Sequence, residues 1–160
     1  MNQTSFKADK IDVRRIKKSD LPRLLTMIKA LAAFNSDQST TTLDDLHRDL
    51  LGPSPWLIVF VATVEDSLIG YAALCPLAQL QFGHRGLDIH HLFVEEPYRA
   101  RGIGKKLIAT SLQEAKRLGC AFVKIGTSAQ NHIAQKAYLA AGFELEGSRG
   151  PRFKLELQRA

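Results

Sequence analysis

The densest chemistry in this chain of 160 residues lies in Tyr98-Arg-Ala-Arg-Gly-Ile-Gly-Lys-Lys106, where four cations are interleaved with two glycines. Glycine lets a backbone approach a ligand closely, and the first turn of a following helix leaves N–H groups without internal partners. A phosphate or pyrophosphate is the natural guest, with Arg99, Arg101, Lys105 and Lys106 supplying charge. Neither of the better-known phosphate motifs fits. A P-loop needs four residues between its glycines, whereas Ile103 alone separates Gly102 from Gly104. A dinucleotide fingerprint needs a third glycine where Leu107 stands, and a strand immediately before the first. The same two glycines would equally shape a tight strand-to-helix turn, so these residues alone leave both readings open.

The rest of the composition narrows the class. Lys and Arg number 22 against 16 Asp and Glu, a formal charge of +6 that favours an anionic ligand. At 45% apolar and 24% charged residues the chain is ordinary for a globular protein, which argues against collagen-like, coiled-coil and disordered classes. Its length suits one domain, expected over residues 11–160 behind a flexible segment 1–10. The longest apolar run, Trp56 to Val64, is far short of a membrane span, and the N-terminus has no apolar signal core. Cys75 and Cys120 cannot build a disulfide framework and have no metal-ligand neighbours. The expectation is a reduced, cytoplasmic protein with no metal and no membrane partner.

Elements must stand on both sides of the glycine loop to position it. Ile11 to Ile16 suits a short edge strand. Ser19 and Asp20 start a helix whose Leu21, Leu24, Leu25, Ile28, Leu31 and Ala32 recur at three and four, to about Phe34. Thr42 with Asp45 three residues on caps a short helix that Gly52 and Pro53 stop near Leu51. From Trp56 the period changes: WLIVFVATV, a turn, and LIGYAALCPL make a hairpin. A strand follows over 86–94, then a helix over 103–118 ending at Gly119, a strand over 121–127, and a helix over 132–141 closed by Gly142. Short strands from Phe143 and from Arg152 finish the chain. The order is β-α-α-β-β-β-α-β-α-β-β, an α+β mixed sheet of about seven strands with helices on both faces. The strands flanking helix 103–118 must be joined by a crossover and are expected to be parallel.

Arg99-Ala-Arg-Gly102-Ile-Gly104 resembles Arg/Gln-x-x-Gly-x-Gly/Ala, the acetyl-CoA pyrophosphate motif of the GCN5-related N-acetyltransferases, the GNAT family. The lead-in Leu92-Phe-Val-Glu-Glu-Pro-Tyr-Arg99 is similar to that family's as well. So is Asn131-His-Ile-Ala-Gln-Lys-Ala-Tyr138-Leu-Ala-Ala-Gly142-Phe143, an Asn, a helix bearing a Tyr, and Gly-Phe. The order of elements agrees, and the resemblance spans nearly the whole chain. Ile28-Lys-Ala-Leu-Ala-Ala-Phe34, the Thr42 to Leu46 segment and Gly70-Tyr-Ala are closest to the spermidine/spermine (diamine) acetyltransferase branch.

The resemblance implies attack of a neutral primary amine on the thioester of acetyl-CoA. Backbone groups of Leu92, Phe93 and Val94 would pair with the pantetheine arm like another strand. The Leu92 amide would meet the developing oxyanion, given the family's bulge in this strand. Amides of Arg99, Ala100, Arg101, Gly102, Ile103 and Gly104, with Lys105, would hold the pyrophosphate. Asn131 would bond the pantetheine region, and Tyr138, four residues before Gly142, stands at the family's general-acid position beside the cofactor. A buried core tyrosine is the plainer reading of the same residue.

For the base, the diamine branch carries Glu-Asp where this chain has His90-His91. Imidazole, with an ordinary pKa of about 6.5, suits proton transfer. Alternation along a strand lets only one of the two face the cleft unless a bulge intervenes. Asp88, on the face of His90, would orient it or relay a proton; the alternative is a histidine satisfied within the sheet. Two histidines lack a third ligand for a metal.

These departures bear on the acceptor. A polyamine calls for carboxylates, yet both acidic strand positions are histidine and Asn35 takes the acidic position ending the first helix. A smaller or less cationic amine, such as an amino-acid derivative, fits as well as a diamine. The expected function is therefore transfer of acetyl from acetyl-CoA to a small-molecule primary amine, in a homodimer. Acetylation of a protein or peptide, and a catalytically silent acyl-CoA-binding domain, are the alternatives. With no nucleic-acid motif, and with the basic cluster assigned to phosphate, no nucleic-acid partner is expected.

Overall fold

The computed structural model describes residues 10–159, so the segment expected to be flexible lies, but for Lys10, outside the described residues. The chain divides into two compact units, 1–126 and 127–160. The first holds β1 (Ile11–Arg15), α1 (Leu21–Phe34), α2 (Leu43–Leu46, prolonged by a wider turn through His47–Leu51), β2 (Ile58–Val64), β3 (Ser67–Gln79), β4 (His84–Val94), α3 (Ile103–Arg117) and β5 (Cys120–Ile125). Its sheet runs β1-β2-β3-β4-β5, antiparallel except for the parallel pair β4–β5 on either side of α3. The second unit holds α4 (His132–Ala140).

Local chemistry sets the element ends. The Thr42 hydroxyl accepts from the Asp45 amide at 3.1 Å, and the Asp45 carboxylate accepts from the Thr42 amide at 3.0 Å, a reciprocal cap for α2. Beyond α3 and α4, Gly119 and Gly142 take φ of +73° and +95°, the left-handed conformation that ends a helix.

Each sheet face covers its own core. Leu21, Leu24 and Met27 of α1 pack with Val59, Val61, Tyr71, Ala73 and Phe93 on one face. Ile103 and Leu107 of α3 pack with Ala62, Ile69 and Ala72 on the other. Alternation along β2 and β3 delivers residues to both layers.

Asp20 locks the entry to α1. It is 6% exposed, and its carboxylate accepts from both terminal nitrogens of Arg14 at 2.7 and 3.0 Å and from the Lys17 amide at 2.7 Å. The Arg14 hydrogen bonds hold its pKa below the usual carboxylate range, against the opposing effect of burial. Asp20→Ala strands the guanidinium, and we expect a loss of about 3 kcal/mol in denaturant unfolding at neutral pH. A depressed folded-state pKa contributes stability above the unfolded carboxylate value, lost as pH falls through the folded one. The gap between wild type and variant therefore narrows in acid; a gap independent of pH would show that the ion pair is not its source.

Five strands, not about seven, form among the described residues. The two expected from Phe143 and from Arg152 are absent, and no strand lies between 143 and 159. Gly147, Gly150 and Pro151 leave only short runs there. Leu145 and Phe153, in those runs, are 95% and 93% exposed. An alternating pattern stabilises a strand only through partners that bury its apolar face, and a short two-stranded hairpin is marginal by itself.

Candidate active site

The open edge of β4 is the first part of the site. β5 pairs with β4 only from Arg85 to Ile89, while β3 accompanies β4 to Val94. Among the described residues, β4 from His90 onward therefore has a strand on one side only. Which amides turn outward follows from the pairing. The Glu95 amide donates to the Ile69 carbonyl of β3 at 2.8 Å. Alternation then turns Phe93 toward β3, opposite Tyr71, and turns the backbone groups of Leu92 and Val94 away from it. The Val94 carbonyl already accepts from Arg99 Nε at 2.8 Å. Of the three residues expected to meet a ligand through their backbones, Leu92 keeps both groups on the open side and Phe93 keeps neither.

A bulge shapes the side-chain face. Ala73 pairs with His91 and Leu74 with Ile89, so His90 is the extra residue in β4. The inserted residue resets the alternation: Asp88, three positions from His91, shares the face of Tyr71, Ala73 and Phe93. The His90 and His91 rings stack at 4.4 Å between centroids and 17° between planes, so both lie on that face. The His91 Nδ1 is 3.0 Å from the Tyr71 hydroxyl, whose ring is 1% exposed. Burial, and then the charge of His90, pulls the His91 ring down to about 4, so it is neutral at physiological pH. Burial raises Asp88 above the usual carboxylate range, while His90 and Lys124 favour its charge.

The glycine loop adjoins the end of this strand. Ala100 and Gly102 take φ of +60° and +78°, which turns the chain sharply into α3. Successive amides in such a turn converge on a concavity suited to an anion, at the N-terminal end of a helix of 15 residues. A Cβ built on Gly102 or Gly104 would meet no atom within 4 Å. The loop thus has room for a bulky ligand against its backbone, which is what a pyrophosphate requires. Ile103 is a core side chain and has only its backbone to offer. The Arg99 guanidinium lies over the rings of Phe34 and Phe93 at 5.8 and 5.9 Å, which puts its charge on the α1 face of the sheet. Arg101 lies over Tyr98 at 5.6 Å, and Lys105 is exposed.

The second unit, taken by itself, holds Asn131 and Tyr138. Asn131 caps α4, its Oδ1 accepting from the Ala134 amide at 3.1 Å. Tyr138 is half-buried on the same helix, edge-on to Phe143 at 6.3 Å, and burial raises its phenol above the ordinary value.

Tyr71 is a residue of this face that the sequence does not mark out. Its signal was a lone hydroxyl in an otherwise apolar run, Leu68 to Leu74, where a buried O–H has to find a partner. Among the described residues no group of three or more His, Cys, Asp or Glu could hold a metal ion, and no helix is long and apolar enough to cross a membrane.

Residues 24–143 match the Acetyltransferase (GNAT) family. Thialysine N-epsilon-acetyltransferase of Bos taurus is 27% identical over 161 residues, covering 92% of this chain and 94% of that protein. Two solved structures share the fold. One is an aminoglycoside acetyltransferase from an uncultured soil metagenomic sample, in complex with trehalose, with a TM-score of 0.76, 23% identity and coverage of 91% and 97%. The other, aminoglycoside N-acetyltransferase AAC(6')-Iy in complex with CoA, has a TM-score of 0.74, 23% identity and coverage of 95% and 99%. The family match extends from α1 through the open strand and glycine loop to Phe143, and on it the chain belongs to the GNAT acetyltransferases.

Proposed function

We propose that this acetyltransferase moves an acetyl group from acetyl-CoA to the primary amine of a small molecule by direct attack on the thioester. The observation that carries the reading is the juxtaposition, within one unit, of an open strand edge at Leu92 and a glycine loop whose backbone leaves space at Gly102 and Gly104. Acetyl-CoA would supply an activated acetyl thioester and a pyrophosphate.

The amides of residues 100–104, with Lys105, are assigned to the pyrophosphate; the Arg99 amide, expected there too, already donates to the Glu96 carbonyl at 3.2 Å. The outward Leu92 groups and the Val94 N–H are assigned to the pantetheine arm, the Val94 carbonyl being taken by Arg99. The Leu92 N–H is also the donor assigned to negative charge developing on an oxygen. His90 takes the proton of the incoming ammonium, directly or through water, with Asp88 orienting it. Tyr138, kept protonated by its raised pKa, gives a proton to the leaving group. The Asn131 oxygen is occupied by its cap, so its amide N–H groups are what it brings to a ligand.

Charge selects the acceptor. With a net +6 on the chain and the Arg99 guanidinium on the α1 face, a polycation is disfavoured and an amine of low positive charge, such as an amino-acid derivative, is favoured. The relative named for thialysine, an amino acid, is consistent with such an amine. The family resemblance further supports a homodimer, and the two free cysteines suit the cytoplasm.

Acetyl-CoA-dependent thiol release across diamines, polyamines, amino acids, thialysine, aminoglycosides and peptides tests the reading. Selective turnover of an amino-acid-like amine is expected. Selective turnover of peptides would overturn the acceptor class, and absence of both turnover and acetyl-CoA binding would overturn the cofactor assignment.

A further inference from the structure

Tyr71 is the largest of the fully buried side chains, yet it carries a hydroxyl. Among the described residues its one hydrogen-bond partner is Nδ1 of His91, at 3.0 Å. Burial raises the phenol, so it keeps its proton throughout the physiological range. The two groups can share hydrogen in two ways. If Nδ1 carried one, it would donate to the phenol oxygen and leave the phenol's own O–H buried without an acceptor. If Nδ1 is bare, the O–H donates to it and both atoms are satisfied. The second arrangement puts the ring hydrogen on Nε2.

The stack adds a second constraint. Two imidazolium rings 4.4 Å apart repel each other, so the pair carries one charge at a time. The groups acting on the two rings come from three strands: Tyr71 on β3, Asp88 on β4, and Lys124 on β5 through Asp88.

We propose that the Tyr71 hydroxyl donates to His91 Nδ1 and fixes that ring as a neutral Nε2–H donor, so that the stacked His90 is the histidine that accepts a proton. Tyr71 is then a positioning residue that decides which of two adjacent histidines ionises. His90 as the proton acceptor in catalysis rests on the function proposed above; the tautomer of His91 does not.

Nitrogen-15 NMR of the imidazoles in the full chain, without ligand, tests the tautomer directly. Expected is a His91 with bare Nδ1 and protonated Nε2 from about pH 5 to about pH 9. Tyr71→Phe should turn His91 into a mixture of both tautomers. A protonated Nδ1 in the wild type, or a His91 that titrates before His90, would overturn the proposal. In kinetics with an accepted amine, His90→Ala should remove the acid limb of the kcat/KM profile; a limb that persists would overturn the role given to His90. Because the NMR is read on the chain alone, it stands or falls apart from the amine panel.

Discussion

Gly104→Val should weaken acetyl-CoA binding by at least about 100-fold while the chain folds normally. A Cβ at position 104 meets no atom of the surrounding elements within 4 Å, and the backbone there is not in the left-handed region, so the branch point enters open space without backbone strain. Position 104 lies in the first turn of α3, where replacing glycine removes chain entropy from the unfolded state and changes helix stability by no more than about 1 kcal/mol. The valine methyls then stand against backbone N–H groups that an anion must approach to about 3 Å. Gly102 would be a poorer choice, because its φ of +78° makes any side chain strained whatever the ligand. Calorimetric titration with acetyl-CoA, beside a thermal melt, separates the effects. Unchanged affinity in a normally folded variant would remove the loop from the cofactor site.

That loop was legible in the sequence because its chemistry is local. Glycines, cations and the start of a helix within nine residues raise an anion site beside a plain tight turn, and the family resemblance favours the first. The strand that precedes it, β4, was legible only as a strand. Whether His90 and His91 share a face depends on an extra residue opposite the Ala73–Leu74 step, and a bulge is a property of two paired strands rather than of either one. The open edge has the same origin: nothing between 84 and 94 announces that β5 parts from β4 after Ile89. Tyr71 is not legible as a site residue because an aromatic residue in an apolar run is usually core, and its hydroxyl matters only once Nδ1 of His91 is beside it. The strands expected from Phe143 and from Arg152 fail for the converse reason. Their alternating pattern is present, but a pattern without a buried partner is only half of a strand.

Tyr138→Phe should lower kcat by about 100-fold and leave acetyl-CoA affinity within about twofold of the wild type. The substitution removes one oxygen and keeps the ring, so the edge contact with Phe143 survives, as does the backbone bond from the Phe143 amide to the Tyr138 carbonyl at 3.0 Å. Burial holds the phenol above its ordinary pKa of about 10, so it remains protonated through the neutral range. An acid in that state donates only when the developing base becomes stronger than phenolate, which happens as the carbon–sulfur bond breaks and not before. The contribution therefore falls on turnover and not on binding. The sign of the pH dependence follows. Activity through Tyr138 is full below the raised pKa and lost above it, so wild-type kcat should fall on the alkaline side, and the variant's low residual rate should lack that fall. A variant with unchanged kcat would reduce Tyr138 to a support for the Gly142-Phe143 turn. The leaving group would then draw its proton from water or from another residue.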